Sequence, residues 1–207
     1  MEETELRALY ERLEITLSEN QVTKLLRLGE WLSTEAITAG GIGPNERADL
    51  LQRHIADGAA YCVMATEFPG KVLDIGSGVG LPGSVMAILW PQTEFTLLDR
   101  SMRRVDLARR MASVVDIPNV TTIQADASSY SIEHELVVMR AALKPMAAIP
   151  VMARLCTTQA ILGLSRTLEA PQWATTYVLA AEALSLKTQI NVVEVLDPPA
   201  WLLSMMK

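Results

Sequence analysis

One segment constrains this chain more than any other: Val72-Leu-Asp-Ile-Gly-Ser-Gly-Val-Gly-Leu-Pro-Gly83. The apolar run Lys71–Ile75 reads as a buried strand. A glycine-rich turn follows, and Pro82 stands where a helix would begin. Glycines permit positive φ and let a backbone approach a bound group closely. A strand feeding such a turn and then a helix is the building unit of open α/β sheets, and the turn is where nucleotide-like ligands bind. Residues 75–93 carry no Asp, Glu, Lys or Arg, but four glycines and two prolines break the stretch, so it is not a lipid-facing helix and no membrane partner is expected.

Gly78-x-Gly80-x-x-Gly83 matches the dinucleotide fingerprint, a weak signal by itself. Asp74 argues for a different ligand. A carboxylate before the first glycine repels a pyrophosphate but suits a cationic cofactor such as S-adenosylmethionine, which carries a sulfonium and an ammonium. Asp99, at the end of the next apolar run, is placed to accept from two ribose hydroxyls, a device shared with nicotinamide binders. Asp126, after a third run, is placed to meet an adenine amino group. The bland alternative is three ordinary loop acids.

Leu6, Leu9, Tyr10, Leu13 and Leu17 recur at helical spacing, and Ser18 with Gln21 forms a capping box for a second helix with Val22, Leu25, Leu26 and Leu32 inward. Thr38-Ala-Gly-Gly-Ile-Gly-Pro44 reads as a loop, and a third helix follows with Leu50, Leu51, Ile55, Ala59 and Cys62 on one side. Residues 1–66 are thus expected to form a helical cap without strands. Beyond Pro69-Gly70, strands are expected at Lys71–Ile75, 94–98, Val120–Gln124, 135–139 and 159–164, with helices at 82–89, 101–115 and Pro145–Leu155. This alternation predicts an α/β, Rossmann-like, mostly parallel sheet covered on both faces. Residues 186–196 and 201–206, around Asp197-Pro-Pro199, read as an antiparallel hairpin at the sheet edge. Residues 67–207 and the cap are expected to form one compact unit.

These residues resemble class I S-adenosylmethionine-dependent methyltransferases, and more narrowly the RsmG family, also called glucose-inhibited division protein B. Asp74-Ile-Gly-Ser-Gly-Val-Gly-Leu-Pro-Gly83 resembles its D-[VI]-G-[ST]-G-x-G-x-P-G loop. Leu97-Leu98-Asp99 with Arg103-Arg104 resembles its L-L-D-x-x-x-K-R, Arg53-His54-Ile-Ala-Asp57 its R-H-x-x-D-S, and Arg140-Ala141 its R-A. Trp31 and Thr38 match the ends of its W-N-x-x-x-N-L-T. The likeness covers roughly residues 6–165. It implies methyl transfer to guanine N7 of 16S ribosomal RNA. It further implies a cofactor site built from Asp74, Gly76, Ser77, Gly78, Gly80, Leu81, Pro82, Asp99, Asp126, Ala127 and Arg140. Leu32 and Ala36 replace the asparagines of the W-N motif, Gly58 replaces the serine after Asp57, and Leu162 replaces a lysine before Gly163. These departures fall at positions expected to face RNA or the target base.

Guanine N7 has no proton to lose, so its methylation needs alignment rather than a general base. No catalytic dyad or metal-type spacing is evident, and no metal is expected. Arg140, His54 and Asp57 are the candidates for positioning roles: His54 and Asp57 lie three apart on one helix face, and Arg140 ends the fourth strand at the ligand-binding edge. A cluster tying the cap to the sheet is the alternative for His54, and a surface arginine for Arg140. His134 is expected in a solvated loop. The chain holds 18 Lys and Arg against 24 Asp and Glu, a net charge of −6, which argues against binding nucleic acid over the whole surface. The local basic cluster is Arg100, Arg103, Arg104, Arg109 and Arg110, of which 100, 103 and 104 are expected to face one way and meet RNA phosphates together with Arg53. A solvated helix face is the alternative. No DNA partner is expected, and the chain is read as a monomer.

Cys62 and Cys156 read as buried free thiols, and the acidic amphipathic start lacks the pattern of a secretory signal; both suggest a cytoplasmic protein. The ten methionines read as core filling, and Trp90 and Trp173 as packing residues. Two other functions stay open beside the ribosomal one: methyl transfer to a small molecule, and cofactor binding without catalysis. A nicotinamide dehydrogenase would leave Asp74 and the terminal hairpin unexplained.

Overall fold

A computed structural model describes residues 2–167 and 174–207. The expected position of Trp173 lies outside the described residues. Seven strands form one sheet: β1 (Lys71–Ile75), β2 (Glu94–Asp99), β3 (Val120–Gln124), β4 (His134–Arg140), β5 (Cys156–Arg166), β6 (Lys187–Val193) and β7 (Ala200–Met206). Their order is β3-β2-β1-β4-β5-β7-β6. The first five run parallel, and β7 pairs antiparallel with both β5 and β6. The hairpin therefore closes the edge with its second strand inside and its first strand outermost. Chain order reverses between β1 and β4, which makes the carboxyl ends of those strands the switch point where α/β sheets bind ligands.

Helices cover both faces. On one lie α1 (Glu3–Arg12), α2 (Glu19–Trp31), α3 (Asp57–Met64), α4 (Gly83–Leu89) and α5 (Met102–Val115); on the other lie α6 (Pro145–Leu155) and α7 (Ala174–Glu182). The period-2 alternation of β1 divides the core between them. Val72 joins the cluster with Leu25, Ile55 and Met86, and Leu73 and Ile75 join the cluster with Ile149 and Met152. The cap thus shares one continuous core with the sheet. The capping box at Ser18 is present, with Gln21 Oε1 accepting the Ser18 N–H at 2.9 Å. The third cap helix is not uniform. A 3₁₀ segment (Pro44–Asp49) and a π-helical turn (Leu51–Ala56) precede α3.

Two expectations fail. His134 is not solvated: it opens β4, is buried, and its ring lies against Thr96 Oγ1 and the Ile132 carbonyl. Burial pushes its pKa below the usual value. The methionines are not all core, since Met102 and Met146 are about half exposed. Helix α7 had no expectation attached. Among the described residues, no helix is long and apolar enough to cross a membrane.

Candidate active site

The glycine turn folds back on the strand that feeds it. Asp74 points into the face covered by α4, and its Oδ2 accepts the Gly83 N–H at 2.8 Å. A Cβ on residue 83 would stand 2.4 Å from Leu97 Cδ2 and 2.8 Å from that carboxylate, so glycine alone permits the closure. Asp74 is fully buried, and its Oδ1 has no hydrogen-bond partner among the described residues. Burial pushes its pKa up to about 7, against the pull of the Gly83 N–H and the Arg140 charge. An orphaned carboxylate oxygen beneath a glycine turn suits a cation bound above it. Ser77 Oγ, also buried beside the turn, likewise has no hydrogen-bond partner among the described residues.

Asp99 ends β2 at the next strand over and is almost fully buried. Its Oδ1 accepts the Ser101 N–H at 2.8 Å and its Oδ2 the Gly78 N–H at 3.1 Å. Each oxygen keeps a free lone pair, the arrangement a vicinal diol needs. Asp126, after β3, is exposed and spends one oxygen on the Ser128 N–H and hydroxyl, which holds its carboxyl below the usual pKa.

These strand ends enclose a cleft of about 430 Å³. Gly76, Ser77, Gly78, Leu81, Asp99, Arg100, Arg104, Asp126, Ala127, Arg140 and His54 all line it. Asp74, Gly80 and Pro82 do not; Asp74 lies fully buried beneath the turn, and Gly80 faces α5, where a Cβ would stand 2.5 Å from Met111 Cε. The cap supplies the opposite wall through Gly41, Ile42, Gly43 and Glu46. Glu46 carried no sequence signal. It sits in the short 3₁₀ segment, and its role follows from where that segment lands.

A second lobe of about 350 Å³ shares Glu46, His54, Arg140, Ala141 and Leu143 with the first. It continues past Arg53, Asp57 and Tyr61 to Gly163, Leu164 and Trp201. Arg140 stands at the junction. Its Nη1 donates to Asp57 Oδ2 at 3.0 Å and to the Arg53 carbonyl at 3.2 Å, and its Nη2 lies 3.3 Å from His54 Nδ1. Arg140 is thus neither a surface arginine nor bidentate to one acid. It is a tie between cap and sheet that also lines both lobes. Burial, then the Arg140 charge, lower the His54 pKa, with Glu46 and Asp57 opposing.

The arginine cluster divides. Arg103 donates to the Ala39 carbonyl and holds the cap loop, and unlike Arg100 and Arg104 it does not line the cleft. Arg109 pairs with Asp106 and Arg110 with Glu35. Arg53 is exposed at the second lobe. The sequence departures fall elsewhere than expected. Leu32 and Ala36 are fully buried in the cap core. Leu162 packs between Met139 and Leu203 in the sheet. At residue 58 a Cβ would stand 2.8 Å from Val85 Cβ, so the close approach of α3 to α4 requires glycine there.

The family model described as rRNA small subunit methyltransferase G matches residues 21–167. A protein of that name from Acidothermus cellulolyticus is 35% identical over 117 residues, 56% of this chain and 52% of that one. Its namesake from Idiomarina loihiensis is 32% identical over 135 residues, 63% of each chain. The chain therefore spans about half to two thirds of the curated relatives it matches. Among solved structures, magnesium protoporphyrin IX methyltransferase from Synechocystis PCC 6803, with bound SAM, superposes with a TM-score of 0.62 at 16% identity over 93% of this chain and 99% of that one. A SAM dependent methyltransferase from Aquifex aeolicus gives 0.59 at 14% identity over 81% and 97%. At such identities the likeness bears on the fold.

Proposed function

The chain belongs to the rRNA small subunit methyltransferase G family, and from that premise we propose that it transfers a methyl group from S-adenosylmethionine to guanine N7 of 16S ribosomal RNA. The observation that carries the reading is the pairing of Asp74, with its orphaned oxygen under the glycine turn, and Asp99, with two open lone pairs at the next strand end. Asp74 would face the cationic end of the cofactor, Asp99 its ribose, and Ala125, Asp126 and Ala127 its base. When bound, S-adenosylmethionine supplies an electrophilic methyl group on sulfur.

The chain's own residues orient and enclose. The second lobe, apolar on its far side, receives the acceptor base and keeps water from it. Asp57, on the second wall, favours the positive charge that builds on a purine alkylated at N7. No group is required to take a proton, which fits a wall whose titratable side chains are engaged with one another. Arg100 and Arg104 at the rim and Arg53 at the second lobe meet backbone phosphates. A ribosomal acceptor implies a cytoplasmic setting and the small subunit or its RNA as partner. The buried positions of Leu32, Ala36, Gly58 and Leu162 support retention of the family activity, because these departures repack the core and leave the cleft lining alone.

The test is radiolabelled methyl transfer into small ribosomal subunits lacking the modification, with the methylated atom located by chemical cleavage at N7-methylguanine. Label at one guanine is expected. Clear cofactor binding with no label in subunit or RNA would overturn the ribosomal reading and favour a small-molecule acceptor.

A further inference from the structure

Glu46 belongs to no motif, yet its carboxylate lines both lobes and Oε2 lies 2.6 Å from His54 Nε2. On the far side of the imidazole, Arg140 Nη2 lies 3.3 Å from His54 Nδ1. A guanidinium has donors only, so Nδ1 must be the bare, accepting nitrogen. The ring proton then sits on Nε2 and is donated to Glu46. We propose that Glu46 is a positioning residue: by holding His54 as its Nε2–H tautomer, it fixes the Arg140 guanidinium at the junction of the two lobes. What Arg140 is positioned for rests on the methyl-transfer reading above.

The geometry makes the arrangement complete. Asp57 and the Arg53 carbonyl hold Nη1, and the Glu46–His54 pair holds Nη2. A guanidinium held at both nitrogens cannot swing between cofactor and acceptor. Glu46 also sits on the 3₁₀ segment of the cap wall, so the same bond ties that wall to the π-helical turn carrying His54 and, through Arg140, to β4. The charged groups facing His54 are Glu46 from this segment, Arg140 from β4 and Asp57 from α3. Protonating the ring would set an N–H against the Arg140 N–H, and the arrangement would open as pH falls.

The chain has only two histidines, His54 and His134, so ¹⁵N spectra of the imidazoles can be assigned with His134→Gln. Near neutral pH, His54 is expected to show a protonated Nε2 and a bare Nδ1. In Glu46→Ala the two tautomers mix, and kcat for methyl transfer into small-subunit RNA falls about tenfold while affinity for S-adenosylhomocysteine changes less than about threefold. Glu46→Gln, whose amide oxygen still accepts from Nε2–H, keeps the tautomer and most of the rate. An Nδ1–H or charged ring in the wild type overturns the proposal. So does a Gln variant as impaired as the Ala variant, or an Ala variant that behaves as wild type. If the wild type transfers no methyl group, the methyl-transfer reading falls, and the spectra alone still decide for or against the tautomer lock.

Discussion

Asp74 and Gly83 close the glycine turn across its base: the Gly83 N–H donates to Asp74 Oδ2 at 2.8 Å, and Asp74 Oδ1 is left buried with nothing to accept from. The bond holds the turn in shape. In the methyl-transfer reading, the second oxygen meets the cationic end of the cofactor.

Asp74→Asn should separate those two roles. The folded-state pKa of Asp74 is raised from the ordinary 3.8 to about 7, so between those values the folded protein binds more protons than the unfolded one. Stability from this group is therefore present at low pH and lost as pH rises through that window. Asparagine keeps the Gly83 bond and buries no charge. Thermal unfolding without ligand should find Asp74→Asn more stable than wild type above pH 7, by about 4 kcal/mol. S-adenosylhomocysteine should raise the melting temperature of the wild type and leave the variant unmoved. A wild type with no loss of stability across the window would contradict the buried, orphaned carboxylate.

Asp99→Ala should act on the ligand more than on the turn. Its neighbours Ser101 and Gly78 lose an acceptor each, a cost of about 1–2 kcal/mol. Cofactor affinity should fall by about 100-fold, because two hydroxyl bonds to a buried carboxylate vanish together. Calorimetric titration measures it. A loss no larger than about threefold would mean that the diol binds elsewhere.

How far the sequence foretold this site differs from residue to residue. The β1 turn was legible in full because its signal is local: an apolar run, glycines that only glycine can replace, and an acid at a fixed offset. The strand-end acids were legible for the same reason, since a parallel strand's end is visible as the end of its apolar run. His54, Asp57 and Arg140 were legible as candidates but not as one cluster. The contact spans 86 positions between His54 and Arg140, and no periodicity reports that. Glu46 was invisible because a short 3₁₀ segment with no buried residue carries no apolar periodicity to orient its side chains. His134 was misplaced by one residue at a strand boundary, which moved it from loop to core.

The Gly58 departure makes a direct test of packing against function. Gly58→Ser restores the family's serine but sets a Cβ 2.8 Å from Val85. Overpacking at that distance should cost about 2 kcal/mol in chemical denaturation. Val85→Ala alone should destabilise by removing buried methyls. The double variant should recover most of the serine's cost, a coupling expected only of residues in contact. Strict additivity of the two single effects would show that α3 and α4 do not approach as closely as the structure has them.

The arginines that face the cleft rim should separate from the one that does not. Arg100 and Arg104 line the cleft, and Arg104 lies 3.8 Å from Asp99 Oδ2, so neutral replacements avoid placing a new anion beside that acid. Arg100→Gln with Arg104→Gln should weaken binding to small-subunit RNA and lower the slope of log affinity against log salt by about 1–2, since each phosphate contact contributes somewhat under one. Arg103→Gln removes the donor that holds the Ala39 carbonyl. It should leave the salt slope unchanged and instead increase hydrogen exchange in residues 38–44, which it no longer ties to α5. Salt-series RNA binding and exchange mass spectrometry read the two effects separately. An equal drop in salt slope for Arg103→Gln would return it to the RNA-facing set and make its bond to the cap loop incidental.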